Sequence, residues 1–233
     1  MEYDGLALWW GPPRAAQDYR PKMLRRCDIF RADVQRSPKA EEEWRVSRAL
    51  IQHALPGDRR DQAVCGLSHS AGHALLAVAP PGWRVAVDLE RMRPRDFPGL
   101  AEWCCDEAEL VFLRTLSSDL LREWFYRFWT LKEAYVKAAG LDFPADMKSV
   151  GLAQDGQRWV LRGPEDGLAW QACTMAVGDQ WIASVVWCGP DAGFEWHTPA
   201  GDTLPDVRVL WRSAGGLLPS RPRPRPPLSG RAL

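Results

Sequence analysis

The chain has 233 residues, enough for one large domain or two small ones. Hydrophobic residues make up 46% and charged residues 26%, the balance of a globular chain, which excludes wholesale disorder. Lys plus Arg number 30 and Asp plus Glu number 30, so there is no chain-wide field for nucleic acid. No apolar run approaches the roughly 18–20 residues that span a bilayer. The acidic start Met1-Glu2-Tyr3-Asp4 is not that of a secretory signal. The six cysteines include no C-x-x-C pair and no zinc spacing, which fits core-filling thiols in a reducing compartment. The expectation is a cytoplasmic monomer with no nucleic-acid or membrane partner, in which most of the thirteen tryptophans fill the core.

Leu6-Ala7-Leu8-Trp9-Trp10 reads as a first strand, stopped by Gly11-Pro12-Pro13. Residues 14–39 are polar and irregular. Ser37-Pro38 then opens a helix from Ala40 to Leu55, whose acidic first turn Glu41-Glu42-Glu43 suits the helix dipole. Strands follow at Ala74–Ala79 and Val85–Glu90 around the turn Pro80-Pro81-Gly82. Helical spacing returns over Asp106–Leu116 and Leu120–Ala139, with Gly140 as the C′ residue. Two hairpins follow, Val150–Ala153 with Arg158–Leu161 and Trp170–Val177 with Trp181–Trp187. Helices followed by antiparallel hairpins, twice over, predict an α+β protein of two similar halves, each with a small antiparallel sheet and packed helices. The boundaries read as 1–92 and 93–189, with a Pro/Arg-rich tail over 190–233 that ends in Arg221-Pro222-Arg223-Pro224-Arg225-Pro226-Pro227 and offers no core.

Three segments carry chemistry. Along the strand Val85-Ala86-Val87-Asp88-Leu89-Glu90, side chains alternate, so Val85, Val87 and Leu89 share one face and Asp88 and Glu90 the other. Two carboxylates roughly 6.5–7 Å apart along a strand suit a shared cation. On the helix, Trp129, Glu133 and Lys137 fall at i, i+4 and i+8 and form one stripe within the most aromatic stretch of the chain. Cys65-Gly66-Leu67-Ser68-His69-Ser70-Ala71-Gly72-His73 reads as a turn whose hydroxyls, backbone N–H groups and imidazole suit phosphate oxygens. Taken singly, each has a plain structural explanation: a half-buried strand with a wet face, a surface Glu–Lys pair, and a Ser/Gly turn.

Together, and in this order, they resemble the 4′-phosphopantetheinyl transferases of the two-half, monomeric Sfp type. That family carries a Ser-His-Ser turn, a Gly/Ala-x-Asp-x-Glu strand and a W-x-x-K-E-x-x-x-K-x-x-G helix. Here they are Ser68-His69-Ser70, Ala86-Val87-Asp88-Leu89-Glu90, and Trp129-Thr130-Leu131-Lys132-Glu133 with Lys137 and Gly140. The chain departs from the pattern at Gly66, where members often have Asn, and lacks the Gly-Lys-Pro stretch that often precedes the turn. The resemblance implies Mg²⁺-dependent transfer of phosphopantetheine from coenzyme A to a serine of an acyl or peptidyl carrier protein, releasing adenosine 3′,5′-bisphosphate. It implies Asp88, Glu90 and Glu133 as metal ligands, and Glu133, or a water on the metal, as the base for the serine proton. Ser68, His69, Ser70 and Lys137 are implied at the coenzyme A phosphates, and Arg36, Lys39, Arg45 and Arg48 are candidates for the 3′-phosphate. Arg91, Arg93 and Arg95 follow the acidic strand and are candidates for an acidic carrier surface. The alternatives are a metal-dependent nuclease or phosphodiesterase, whose Glu-x-Lys pair usually lies on a strand, and a non-catalytic module binding through the basic tail.

Overall fold

The computed structural model describes residues 5–57, 61, 63–164, 166–213 and 218–219. In chain order it has β1 (Leu6–Gly11), two short 3-10 turns, α1 (Arg26–Ala32), α2 (Pro38–Ala54), β2 (Val64–Ser70), β3 (His73–Ala79) and β4 (Arg84–Arg91). It continues with α3 (Phe97–Cys104), α4 (Glu107–Arg114), α5 (Ser118–Ala139), β5 (Gly151–Asp155) and β6 (Arg158–Gly163). It closes with β7 (Trp170–Val177), β8 (Trp181–Cys188), β9 (Phe194–His197), β10 (Val207–Arg212) and β11 (Leu218–Pro219).

Local chemistry explains the helix limits. The Ser37 hydroxyl accepts the Ala40 N–H ahead of Pro38 and starts α2. Asp106 and Glu109 form a reciprocal capping box on α4. Gly140, with φ of 65°, ends α5 in the left-handed conformation that a side chain would resist.

The strands form sheets ordered β2-β3-β1-β9, β10-β7-β8-β4 and β11-β6-β5. The first two contain a repeated unit. In β1-α2-β2-β3 the first strand pairs with the last, antiparallel, and the middle strand lies outside. In β4-α5-β7-β8 the pairing is the same. The protein is α+β in two similar halves, and β4 opens the second half by pairing with β8. The expected boundary near residue 92 therefore moves to the start of β4, because strand pairing follows the sheet and not the position of the acidic motif.

Each half buries one helix on one sheet face. Val46, Leu50 and Ile51 of α2 pack on Ala7, Trp9, Leu76 and Val78. Phe128, Leu131 and Tyr135 of α5 pack with Ile182 and Val186. The opposite faces of the two sheets meet each other through Leu8, Trp10, Leu75, Val85, Val87, Leu89, Met175 and Val185. The alternation in β4 is thus realised: Val85, Val87 and Leu89 enter the core between the sheets, and Asp88 and Glu90 turn the other way. Among the described residues, no helix is long and apolar enough to cross a membrane.

Three expectations are corrected. The segment expected as a turn at 65–73 is strand β2, and the turn is only Ala71-Gly72, with φ of 45° and 79°. Its Gly and Ser residues suit a strand here because they permit and bridge a close neighbour, as described below. Residues 14–39 hold helix α1, and 97–104 form α3, both too short for clear periodicity. The tail does not begin at 190: β9 pairs with β1, parallel, and β10 pairs with β7, antiparallel. Phe194, Trp196 and Val207 pack against the inter-sheet core, and short strands among Pro and Gly gave no periodic signal. The Arg-Pro run lies outside the described residues.

A chain ending at residue 213 is expected to melt within about 3 °C of the full chain. One ending at 190 also loses β9 and β10 and is expected to melt about 10 °C or more lower, or not to fold. Thermal unfolding followed by circular dichroism checks both; equal melting of the two truncations would show that β9 and β10 are dispensable.

Candidate active site

The site grows from the place where the two sheets touch edge to edge. β2 is an edge of the first sheet and β4 an edge of the second. No backbone ladder joins them; serine hydroxyls do. The Ser68 hydroxyl donates to Asp88 Oδ1 at 2.9 Å and accepts the Leu89 N–H at 3.2 Å. Two residues on, the Ser70 hydroxyl donates to Glu90 Oε2 at 3.0 Å and accepts the Arg91 N–H at 3.4 Å. Ser-x-Ser on one strand is therefore read residue for residue by Asp-x-Glu on the other. Gly66 keeps the register: a Cβ there would lie 2.5 Å from Ala86 Cα and 2.9 Å from Val85 O.

Helix α5 supplies the other side. Lys137 Nζ lies 2.6 Å from Asp88 Oδ1 and 2.9 Å from Glu133 Oε2, so the helix stripe and the acidic strand converge as expected. Trp129, the third member of the stripe, instead stacks on Trp103 and Phe125.

Beside this cluster opens a cleft of about 510 Å³ lined by Lys39, Glu43, His69, Ser70, Glu90 and the segment 91–95. His69 Nδ1 faces Glu43 Oε2 at 3.6 Å. Glu43 also accepts the Gly72 N–H, which ties α2 to the β2–β3 turn. Sequence reading missed Glu43, since an acidic first turn already had an explanation in the helix dipole.

The electrostatics follow from burial and crowding. Burial pushes the Asp88 carboxyl up to about 7; Glu133 and Glu90 add to this and Lys137 opposes it. Asp88 Oδ2 is buried and has no hydrogen-bond partner. Burial also raises Glu90, against the hydrogen bond from Ser70 and the charges of Arg95 and Arg93. Burial works to lower Lys137, but Asp88 and Glu133 outweigh it and hold the ammonium above its ordinary value. Burial lowers His69 despite Glu43.

The proposed site residues thus divide. Lys137 brings Asp88 and Glu133 together, and Glu90, bonded to Ser70, lines the cleft beside them. His69 and Ser70 face the cleft. Ser68 is buried, with its donor and an acceptor lone pair committed to β4, so its place is beneath the site. Of the basic candidates only Lys39 lines the cleft. Arg48 is in a buried ion pair with Asp28 at 2.9 Å, Arg36 lies over Trp44 with its guanidinium on backbone carbonyls, and Arg45 pairs with Glu41. Arg91, Arg93 and Arg95 all line the cleft.

Comparison with known proteins finds similarity over the part of the chain that holds β4 and α5. Residues 84–186 match the family model described as the 4′-phosphopantetheinyl transferase superfamily. The 4′-phosphopantetheinyl transferase HetI of Nostoc sp. is 32% identical over 144 residues, covering 60% of this chain and 57% of that one. Sfp of Bacillus subtilis is 33% identical over 100 residues, covering 39% and 40%. AcpT of Escherichia coli K12 is 30% identical over 126 residues, covering 48% and 64%. A holo-(acyl-carrier-protein) synthase from Bacillus anthracis, solved in complex with coenzyme A, aligns with 46% of this chain and 96% of its own at 15% identity and a TM-score of 0.40. Over residues 84–186 the chain is similar to the 4′-phosphopantetheinyl transferase superfamily. The matches span between 40% and 64% of the length of the three curated relatives named here.

Ser68→Ala removes the acceptor of a buried N–H and the donor to a buried carboxylate. It is expected to cost about 1–3 kcal/mol in denaturant unfolding, whereas Ser70→Ala, at the half-exposed end of the same edge, should cost less. Equal, near-zero costs would show that the strands are held by something other than these hydroxyls.

Proposed function

We propose that this protein transfers the 4′-phosphopantetheine arm of coenzyme A to a serine hydroxyl of an acyl or peptidyl carrier protein, with Mg²⁺ as cofactor. The observation that carries the reading is the convergence of Asp88, Glu133 and Lys137 where β2 meets β4, beside a cleft rimmed by Lys39, His69 and three arginines. The similarity of residues 84–186 to 4′-phosphopantetheinyl transferases supports the reaction class.

Among the described residues, no three acidic, His or Cys side chains are gathered into a ready-made metal cluster. The residues nonetheless fit a hard cation that takes one or two carboxylates and completes its shell with phosphate and water. Asp88 offers a buried oxygen without a partner, and Glu133 and Glu90 stand near it. In this reading Asp88, Glu133 and Glu90 would hold Mg²⁺, which when bound neutralises pyrophosphate charge.

The remaining steps belong to the chain. Lys137 carries a held positive charge at the carboxylate cluster and suits a pyrophosphate oxygen as a point charge. His69 and Lys39, at the α2 side of the cleft, suit the nucleotide phosphates. The carrier serine approaches from the open side, and Glu133, only partly buried, accepts its proton as the oxygen attacks phosphorus. Adenosine 3′,5′-bisphosphate departs along the basic rim.

Asp88→Ala and Glu133→Ala are each expected to lower transfer by at least about 100-fold, the scale of losing one charge-stabilising group, with unchanged circular dichroism. Mg²⁺-dependent labelling of a carrier protein with a fluorescent coenzyme A derivative measures this, and near-normal turnover in either variant would remove the reading. The same assay separates transfer from a nuclease or a binding module.

Arg91, Arg93 and Arg95 form a local cationic rim on a neutral chain. Reversing all three to Glu is expected to raise KM for the carrier protein and leave KM for coenzyme A nearly unchanged, with less salt dependence than the wild type. Equal changes in both constants would place the arginines on coenzyme A.

A further inference from the structure

Lys132, next in sequence to Glu133, has no part in the cleft. It is fully buried, and its ammonium bonds Glu109 Oε2 at 2.7 Å, Met147 O at 2.9 Å and Val150 O at 2.6 Å. An ammonium has three N–H groups, and all three are used. The acceptors come from α4 and from the loop that leads into β5, on a different side of α5 from β4.

Glu109 is equally committed. It is fully buried, accepts the Asp106 N–H at 2.9 Å to close the α4 capping box, and accepts the Leu152 N–H at 3.3 Å in β5. Arg162 of β6 adds a charge 3.8 Å from Glu109 and pairs with Asp106 at 3.0 Å. The backbone makes room for the pair at Gly151: a Cβ there would lie 2.5 Å from Glu109 Oε1 and 2.9 Å from Lys132 Nζ.

Stability is a weak reason to bury this pair. Desolvating two ions costs about what their attraction returns, and apolar residues of similar volume often serve as well. What an apolar side chain does not provide is direction. Successive residues on an α-helix are turned by about 100°, so holding Lys132 toward α4 and β5 fixes where Glu133 points. Two residues earlier, Thr130 bonds Ser184 of β8 at 2.8 Å, a second polar tie at the same level of the helix.

We propose that Lys132 and Glu109 are a positioning pair, which sets the rotation of α5 and thereby holds Glu133 and Lys137 against Asp88. The proposal rests on the transferase reading for its kinetic consequences, and on the site geometry alone for its structural ones.

The test compares Lys132→Met with the double variant Lys132→Met/Glu109→Gln. The single variant leaves a buried carboxylate without its nearest cation, with only Arg162 at 3.8 Å, and should melt well below the wild type. The double variant removes the charge imbalance and should regain most of the melting temperature, while kcat for Mg²⁺-dependent carrier labelling stays down more than tenfold with KM for coenzyme A within threefold. Its crystal structure should show the Lys137–Asp88 contact between α5 and β4 broken or displaced. If the double variant does not fold, Lys132→Arg carries the same kinetic and crystallographic test, since it keeps the charge and changes the reach. A stable variant with kcat within tenfold of wild type, or with the Lys137–Asp88 contact intact, overturns the proposal and leaves the pair a core feature only. Absence of transfer in the wild type would instead overturn the transferase reading, and the crystal structure would still decide the positioning.

Discussion

The structure depends on an unusual joint between two sheet edges. β2 and β4 run side by side without a backbone ladder, and hydroxyls of Ser68 and Ser70 take the place of the missing carbonyls. An exposed sheet edge normally invites pairing with another chain. Here each edge is covered by the other, and the cover is polar. The same hydroxyls hold the carboxylates of Asp88 and Glu90, so the bonds that join the two halves also aim the acids. Gly66 is the steric condition for this, since any side chain would meet the backbone of β4.

Around that joint the two halves divide the work. The first half contributes the α2 side of the cleft, with Lys39, Glu43 and His69. The second contributes the acidic strand and α5. The apolar faces of both sheets press together behind the joint, so Val85, Val87 and Leu89 hold β4 while its other face stays polar. Burial then raises the cost of charge on Asp88, and Lys137 offsets part of it. The result is a buried carboxylate with one bonded and one free oxygen, beside a cation that is still partly exposed.

Much of this was legible in the sequence, for identifiable reasons. The alternation of β4 and the i, i+4, i+8 stripe of α5 are strictly periodic, so the shared face of Asp88 and Glu90 and the stripe holding Glu133 and Lys137 could be read locally, whereas their meeting is seen only in the fold. The repeat of two α+β halves was legible from element order, although the halves share little residue-level likeness. Periodicity failed where strands are short or where composition is set by a neighbour. β2 looks like a turn because Gly and Ser are needed for its approach to β4, a long-range constraint that no local window contains. β9 and β10 lie among Pro and Gly and take their stability from pairing with β1 and β7. Ser68 is chemically suited to a phosphate, and only the fold shows that its hydroxyl is spent on Asp88 and Leu89. Lys132 stood in the motif without a role, because burial of a lysine is invisible until its three acceptors are in place.

In the proposed function, a divalent cation and a pyrophosphate bind together at the meeting point of β2, β4 and α5. Anomalous diffraction from crystals containing coenzyme A and Mn²⁺ in place of Mg²⁺ tests it most directly. The account predicts one strong anomalous peak bonded to oxygens of Asp88 and Glu133, with the coenzyme A pyrophosphate shared between that peak and Lys137. A metal peak elsewhere, or a pyrophosphate bound away from Lys137 and the carboxylates, would contradict it.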